Sequence, residues 1–217
     1  MEARVASVTS GGSSLVERLV AADGSKEHGW PSRLVSDGAS WRDLADAVHA
    51  LSMLHGHQPG MADDARTRGV QPEAGDWLGR LAEAFAAERA ILATLVAAAG
   101  PLPSTPGHAE SEAAILTQRH ALEMLARSDR RGCASGAVAA LALDWPAVRI
   151  VLDRAAEAFG AVIAPSPLPP SADTIAKLTP LAVQPACERA IGFGAQQLLA
   201  QHRGLWGLLE ARAEARG

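Results

Sequence analysis

The sequence predicts an all-α protein, an antiparallel bundle of four to five long helices. Hydrophobic residues make up 48% of the 217 positions, but there is no Tyr and there are only three Phe, so most of the core must come from Leu, Ala, Val and Ile. Apolar residues recur at spacings of three and four, and runs rich in β-branched and aromatic residues, which are typical of strands, are missing. The segments that carry the helical pattern are 40–56, 76–99, 106–131, 135–159 and 186–215.

One bundle domain over 39–217 follows from this pattern, since the chain is long enough for one sizeable core. Residues 1–38 are poorly patterned and interrupted by Gly24, Gly29 and Pro31. We therefore expect a loosely ordered N-terminal arm with one short helix near 15–22.

The first two long helices have clear starts and stops. Ser40 is a good N-cap for the first helix, and Gly56 ends it. A polar connection over 61–75 leads to the second helix, whose apolar seam contains Glu88 at a core position. A buried carboxylate needs a partner, so Glu88 requires an explanation.

The third helix is predicted to begin with Thr105 as its cap and Pro106 at its first position. It closes on Arg127, Arg130 and Arg131, which we interpret as basic residues that complement the negative end of the helix dipole.

The fourth helix keeps its register through Pro146, which favours one kinked helix over a break with Asp144 as a new cap. A proline-rich crossover occupies 160–185, with one helical turn over 173–178. The last helix places His202 within an apolar stripe, where a hydrogen-bonded core histidine is the simplest interpretation.

Two pairs of segments resemble each other. His49–Leu54 matches His120–Leu125, and Arg80–Phe85 matches Arg154–Phe159, at the nearly equal offsets of 71 and 74 residues. Either a helical hairpin is duplicated, as in a ferritin-like bundle, or Ala- and Leu-rich helices are alike by chance.

A ferritin-like metal centre would require Glu-x-x-His pairs that face inward. The sequence has only Asp46-x-x-His49, so a standard di-iron centre is not predicted. A looser metal site would draw on Glu88, Glu123, Glu188 and His202 and bind iron, manganese or zinc. The favoured alternative is a structural polar network in which Arg119 pairs with Glu123 and reaches Glu88.

Three further histidines are candidates for a zinc site, since His55-x-His57 lies close to His49, but no fourth ligand is visible. His49 and His120 are otherwise expected at the edges of their helix faces. The two cysteines, Cys133 and Cys187, are far apart and are predicted to be buried free thiols.

Charge and hydropathy restrict the partners. A net charge of −4 argues against a general nucleic-acid binder. No stretch approaches about 18 uninterrupted apolar residues, and no signal peptide is evident, so neither a membrane partner nor export is predicted. The default expectation is a cytoplasmic protein.

The stretches PLPSTPGHAESEAAILTQRHALEMLARSDRRGCASGA (101–137) and RAIGFGAQQLLAQHRGLWGLLEAR (189–212) resemble an uncharacterised bacterial all-α family, a domain of unknown function. The resemblance covers everything after the N-terminal arm and implies no activity.

With no complete catalytic motif, the sequence favours a non-enzymatic protein that self-associates, as a dimer, or binds a partner. The alternative is an enzyme, a degenerate ferritin-like metal-dependent oxidoreductase with a site inside the bundle. A third hypothesis is a small-molecule pocket between helices, closed by the proline-rich crossover.

Overall fold

The computed structural model describes residues 11–101 and 107–216, with side chains from Leu15 onward. These residues are all-helical and contain no β-strand. They form nine α-helices: α1 (Gly11–Asp23), α2 (Gly29–Leu34), α3 (Trp41–His55), α4 (Met61–Arg68), α5 (Gly75–Ala99), α6 (His108–Ala126), α7 (Cys133–Phe159), α8 (Ser171–Leu178) and α9 (Pro185–Glu214). Short 3-10 turns lie at Ser25–Glu27, Pro72–Ala74 and Thr179–Ala182.

The five long helices, α3, α5, α6, α7 and α9, coincide with the five predicted segments. The Ser40 hydroxyl accepts a hydrogen bond from the Asp43 amide at 3.0 Å and caps α3, as expected. Gly100 ends α5 with a φ of +68°, which only glycine adopts easily. Helix α7 continues through Pro146, so the interpretation as a single helix is confirmed and the break capped by Asp144 is not observed.

Helix α6 ends five residues earlier than predicted. Its last residue is Ala126, and the Ser128 hydroxyl accepts from the Arg130 amide at 3.2 Å, a local bond that competes with helical geometry. Arg130 and Arg131 therefore lie beyond the helix, and the ion pair of Arg131 is with Glu73. The predicted caps Thr105 and Pro106 lie outside the described residues.

Residues 15–38 contribute to the core, in contrast to the expected loose arm. Val16, Trp30 and Leu34 are all at most 2% exposed. Helix α1 packs on α9, where Gly192 leaves room for Leu15: a β-carbon there would lie 2.8 Å from a Leu15 methyl group. The sequence did not predict this packing, because glycines separate the helices and each helix is too short to show a periodic apolar pattern.

The polar connection predicted over 61–75 contains α4. Met61, Ala62 and Ala65 form the buried side of this two-turn helix. The Asp63 carboxylate accepts from the Gly60 amide at 2.9 Å, which satisfies an N–H at the helix start. The other residues of this helix are mostly charged, and only three residues are apolar, so the sequence shows no helical pattern here.

The backbones of α7 and α9 approach each other closely. A β-carbon on Gly136 would lie 2.1 Å from the Ile191 carbonyl oxygen, and one on Gly194 would lie 2.0 Å from the Cys133 carbonyl oxygen. Each helix therefore has a glycine where the other crosses it, which lets the two axes approach. Helix α7 is long and apolar enough to cross a membrane by composition, but 78% of its most apolar window is buried inside the protein, as in a core helix.

The two repeated hairpins correspond to α3 with α5 and α6 with α7, and the helices of each hairpin contact each other. Leu51 and Leu54 are buried, as are their repeat counterparts Leu122 and Leu125. The duplication, the ferritin-like topology and the four- to five-helix count stay predictions, since four shorter helices also belong to the described fold.

Candidate functional site

A chain of three polar side chains runs through the core, from α7 to α9 to the end of α3. The Asp144 carboxylate lies 2.7 Å from Nδ1 of His202, and Nε2 of His202 lies 2.9 Å from Nε2 of His55. Asp144 and His202 are 2% and 1% exposed, and His55 is 9% exposed. All three side chains are therefore buried, and His55 is the most exposed of them.

The turn after α1 fixes the inner end of this chain. The Ser25 amide and hydroxyl donate to the two oxygens of Asp144, at 2.7 and 2.6 Å. Trp206 in turn donates its indole N–H to the Ser25 hydroxyl oxygen at 2.9 Å. Gly24 permits this approach, since a β-carbon there would lie 2.7 Å from the carboxylate. Both oxygens of the buried carboxylate are thus hydrogen-bonded, as burial requires.

The surroundings determine which groups are charged. Burial acts to raise the pKa of Asp144, but the hydrogen bond and charge of His202, together with the bonds from Ser25, bring that pKa below its ordinary value of 3.8. Burial, reinforced by His202 and His57 nearby, lowers the pKa of His55 well below 6.5. At neutral pH, Asp144 is therefore an anion and His55 is neutral.

A small cavity of about 20 Å³ lies at the outer end of the chain, which is room for one water molecule. Helices α3, α4, α5 and α7 and the loop after α3 surround it. Its polar and aromatic lining residues are His55, His57, Phe85, Glu88, Arg89 and Trp145.

Three nitrogen atoms of this lining are buried without a hydrogen-bond partner among the described residues. They are Nε1 of Trp145, Nε of Arg89 and Nδ1 of His57. Trp145 is 1% exposed and holds His55 in an edge-to-face contact at 5.5 Å between ring centres. Buried polar groups are rarely left unpaired, so the cavity is a candidate site for a water molecule that would pair with these nitrogen atoms.

Glu88 lines the same cavity, but its own charge is balanced by Arg149 of α7, not by Arg119 as the sequence suggested. Nη1 of Arg149 lies 3.1 and 3.2 Å from the two carboxylate oxygens. The Ser166 hydroxyl donates to Glu88, and Arg149 also donates to the Ala164 carbonyl oxygen. Glu88 therefore fastens the proline-rich crossover to α5 and α7, which is a structural role for this carboxylate.

The other predicted metal ligands do not converge on Glu88. Glu123 lies on α6 with Arg119 at 3.3 Å, as predicted, and with His57 at 3.5 Å. Glu188 is half-buried in the first turn of α9, and His202 faces Asp144. Among the described residues there is no group of three or more His, Cys, Asp or Glu that could hold a metal ion. The metalloprotein alternative stays a prediction.

The remaining candidates are also dispersed. His49 bonds the Gly100 carbonyl oxygen at 2.8 Å, and His120 is mostly exposed, so both lie at helix edges as expected. His55 and His57 have separate partners, which removes the basis for a zinc site with His49. Cys133 and Cys187 are buried free thiols, as predicted.

Sequence reasoning found His202 but missed its two partners. The sequence pattern suggests His55 only as a zinc ligand, and Asp144 only as a helix cap. The signal for Asp144 was present, because it follows the apolar run Ala137–Leu143 within a buried helix. A carboxylate in such a position needs a partner, and His202 is a polar residue in a buried stripe that also needs one.

Comparison with known proteins places the chain in a family. The profile described as "Family of unknown function (DUF6975)" matches residues 20–217, so the chain belongs to that family, and the resemblance inferred from sequence is confirmed. No curated protein and no solved structure matches the chain.

Proposed function

We propose that this member of a family of unknown function acts by self-association, as a non-enzymatic helical protein that pairs with a second copy through the faces of α6 and α9. The observation that carries the proposal is a groove of about 230 Å³ between these helices, flanked by Met124 and Phe193 at 58% and 44% exposure. Large apolar side chains beside an open groove are typical of an association surface.

The composition of the groove supports protein contact. Its remaining lining residues are Ala121, Leu122, Leu125, Ser128, Cys133, Gln197 and Gln201, and none of them is charged. Depletion of charge at the centre and enrichment in Met and aromatic residues distinguish interfaces from ordinary surface.

Helix α6 continues the same face. Ala114, Thr117, Ala121 and Met124 are exposed and follow one another at steps of three, four and three residues. Small uncharged residues at this spacing allow a second helix to approach closely.

A second copy is the simplest occupant, because one face can serve both partners. In a twofold dimer, Met124 of each copy would enter the groove beside Phe193 of the other, and such isologous interfaces are the commonest in soluble oligomers. Two buried free cysteines also support a cytoplasmic location, since thiols persist in reducing compartments.

The test is sedimentation equilibrium of the wild-type protein and of Met124→Glu. We expect a wild-type dimer, and a carboxylate buried at the centre of the interface should raise the dissociation constant at least about 30-fold, as loss of a hot spot of 2 kcal/mol or more would.

The matched control is Ile150→Glu. Ile150 is an isoleucine on α7 that is 57% exposed, almost the same as Met124, and it does not line the groove. This variant should dimerise as the wild type does. A wild-type monomer at high concentration, or equal weakening by both substitutions, would show that the α6–α9 face is not the interface.

A further inference from the structure

The Asp144–His202–His55 chain can hold protons in two arrangements, which differ by one proton. In the first, His202 Nδ1–H donates to Asp144 and His55 Nε2–H donates to His202 Nε2, so Nδ1 of His55 carries a lone pair. In the second, Nδ1 of His55 is protonated and the proton between the rings belongs to His202, which becomes a cation beside Asp144. Both arrangements satisfy the contacts of His202 with Asp144 and with His55.

Addition of one proton to Nδ1 of His55 converts the first arrangement into the second. The N–H bond forms at Nδ1, the Nε2–H bond of His55 breaks, and that proton binds Nε2 of His202. The positive charge then lies next to the Asp144 carboxylate, 2.7 Å away, instead of on the ring of His55. A negative neighbour stabilises this charge, which an isolated buried imidazole could not hold.

The cavity supplies the route to His55. It has room for one water molecule, and its lining includes the unpaired donors Trp145 Nε1–H and Arg89 Nε–H. Both can donate to a water oxygen, which leaves the hydrogens of that water to bond an acceptor. Nδ1 of His55 has no hydrogen bond to another described residue, and Nδ1 of His57 is unpaired as well, so both are acceptors open to this water.

We propose that the cavity is a water-binding, proton-accepting site, in which a water molecule bonded to Trp145 and Arg89 delivers a solvent proton to His55 and the charge passes to the Asp144–His202 pair. The proton comes from an acid in the solvent, so the water molecule is regenerated. The protein thus takes up a proton at the cavity and holds the charge beside Asp144.

The charged groups around the cavity are held in ion pairs, although Nδ1 of His57 is a second unpaired nitrogen there. The pairs that face the cavity are Glu88 with Arg149, Arg89 with Asp63, and His57 with Glu123. Burial lowers the pKa of His57 as well, and the charge of Glu123 acts against that shift. His55 is therefore the one cavity residue among those described whose proton can be passed to a buried carboxylate.

The experiment is long-range ¹H–¹⁵N NMR of the full chain labelled at its histidine nitrogens, between pH 7.5 and 4.5. His55→Gln and His202→Gln assign the two rings, and His49→Gln is the matched control, since His49 lies outside the chain. At pH 7.5 we expect a proton on Nδ1 but not Nε2 of His202, and on Nε2 but not Nδ1 of His55. On acidification, both rings should change together, with a single midpoint.

The water molecule is tested by its magnetisation transfer to the His55 ring, which should be present in the wild type and lost in Trp145→Phe, while the tautomers at pH 7.5 stay unchanged. A proton on Nδ1 of His55 at pH 7.5, separate midpoints for the two rings, or water transfer that Trp145→Phe does not alter would each overturn the proposal. The tautomers of the wild type are decisive even if a histidine variant fails to fold.

Discussion

Replacement of Gly194 by alanine tests the close crossing of α7 and α9 with a single methyl group. The new β-carbon would lie 2.0 Å from the Cys133 carbonyl oxygen and 3.0 Å from the Ala137 amide nitrogen, whereas ordinary contact begins at 3.4 Å. Both atoms belong to the backbone of α7, so no side chain can turn aside to relieve the overlap. The two helices would have to separate.

The magnitude follows from two opposing effects. Alanine in a helix interior is favoured over glycine by about 1 kcal/mol. Overpacking of a core typically costs about 1–3 kcal/mol, and a clash between backbones lies at the upper end or beyond. We therefore expect a net loss of about 2 kcal/mol in the free energy of unfolding, which for a chain of this size lowers Tm by roughly 4–8 °C.

The assay is thermal and urea denaturation followed by circular dichroism, with Gly207→Ala as the matched control. Gly207 lies on the same helix, but a β-carbon there would meet nothing within 4 Å. Alanine at this position has the higher helix propensity and meets no clash, so Gly207→Ala should raise the free energy of unfolding by up to about 1 kcal/mol. The two substitutions are chemically identical and should have opposite signs.

Equal effects of the two substitutions would refute the reasoning. If Gly194→Ala were as stable as the wild type, α7 and α9 would not cross with their backbones in contact. The same result would count against the position of His202, which α9 holds opposite Asp144.

Three further predictions concern buried polar groups. Burial lowers the pKa of His55 below 6.5, so below that pH the unfolded chain binds one proton more than the folded chain. The free energy of unfolding should therefore fall by up to about 1.4 kcal/mol per pH unit as the pH drops below 6.5. Urea denaturation from pH 5 to 7.5 should show that this free energy depends less on pH in His55→Gln. Glu88→Leu should cost about 1.5–3 kcal/mol, since Arg149 loses its bonds to this carboxylate but keeps Asp153 at 2.7 Å, and the double variant with Arg149→Leu should recover most of the loss in the same urea assay. Cys187 should react with a thiol reagent only after denaturation, since it is buried and burial raises its pKa; rapid reaction of this thiol in the folded protein would show that the start of α9 opens readily.

The sequence predicted the long helices because each repeats its apolar pattern over several turns, with Ser40 and Gly100 marking two of the ends. It did not predict α4 or the packing of Trp30, since one or two turns carry too few apolar positions to establish a period. The partner of Glu88 was assigned wrongly for a related reason. Arg119 and Arg149 both follow helical spacing, and only the arrangement of the helices decides which of them lies opposite the carboxylate.

The candidate site was less predictable than the fold because its residues are brought together by tertiary packing alone. His202 could be singled out in its stripe, but nothing local links it to His55. The cavity depends on Trp145 and Arg89, which a sequence pattern assigns to an apolar core position and a solvated helix face. Its unpaired nitrogen atoms become visible only with coordinates.

The hydrogen-bond network of Ser25, His55, Asp144, His202 and Trp206 also has a consequence for the order in which the protein folds. Its contacts join positions that are far apart along the chain: Ser25 and Asp144 by 119 residues, His55 and His202 by 147, and Ser25 and Trp206 by 181. Closure of such long loops carries an entropic cost that must be met before these hydrogen bonds can form. We therefore expect the network to be absent from the folding transition state and to close last, so that damage to it accelerates unfolding and leaves the folding rate nearly unchanged. Ser25 is the first of these residues to be synthesised, but its hydroxyl can bond both Asp144 and Trp206 only after the last helix has been made.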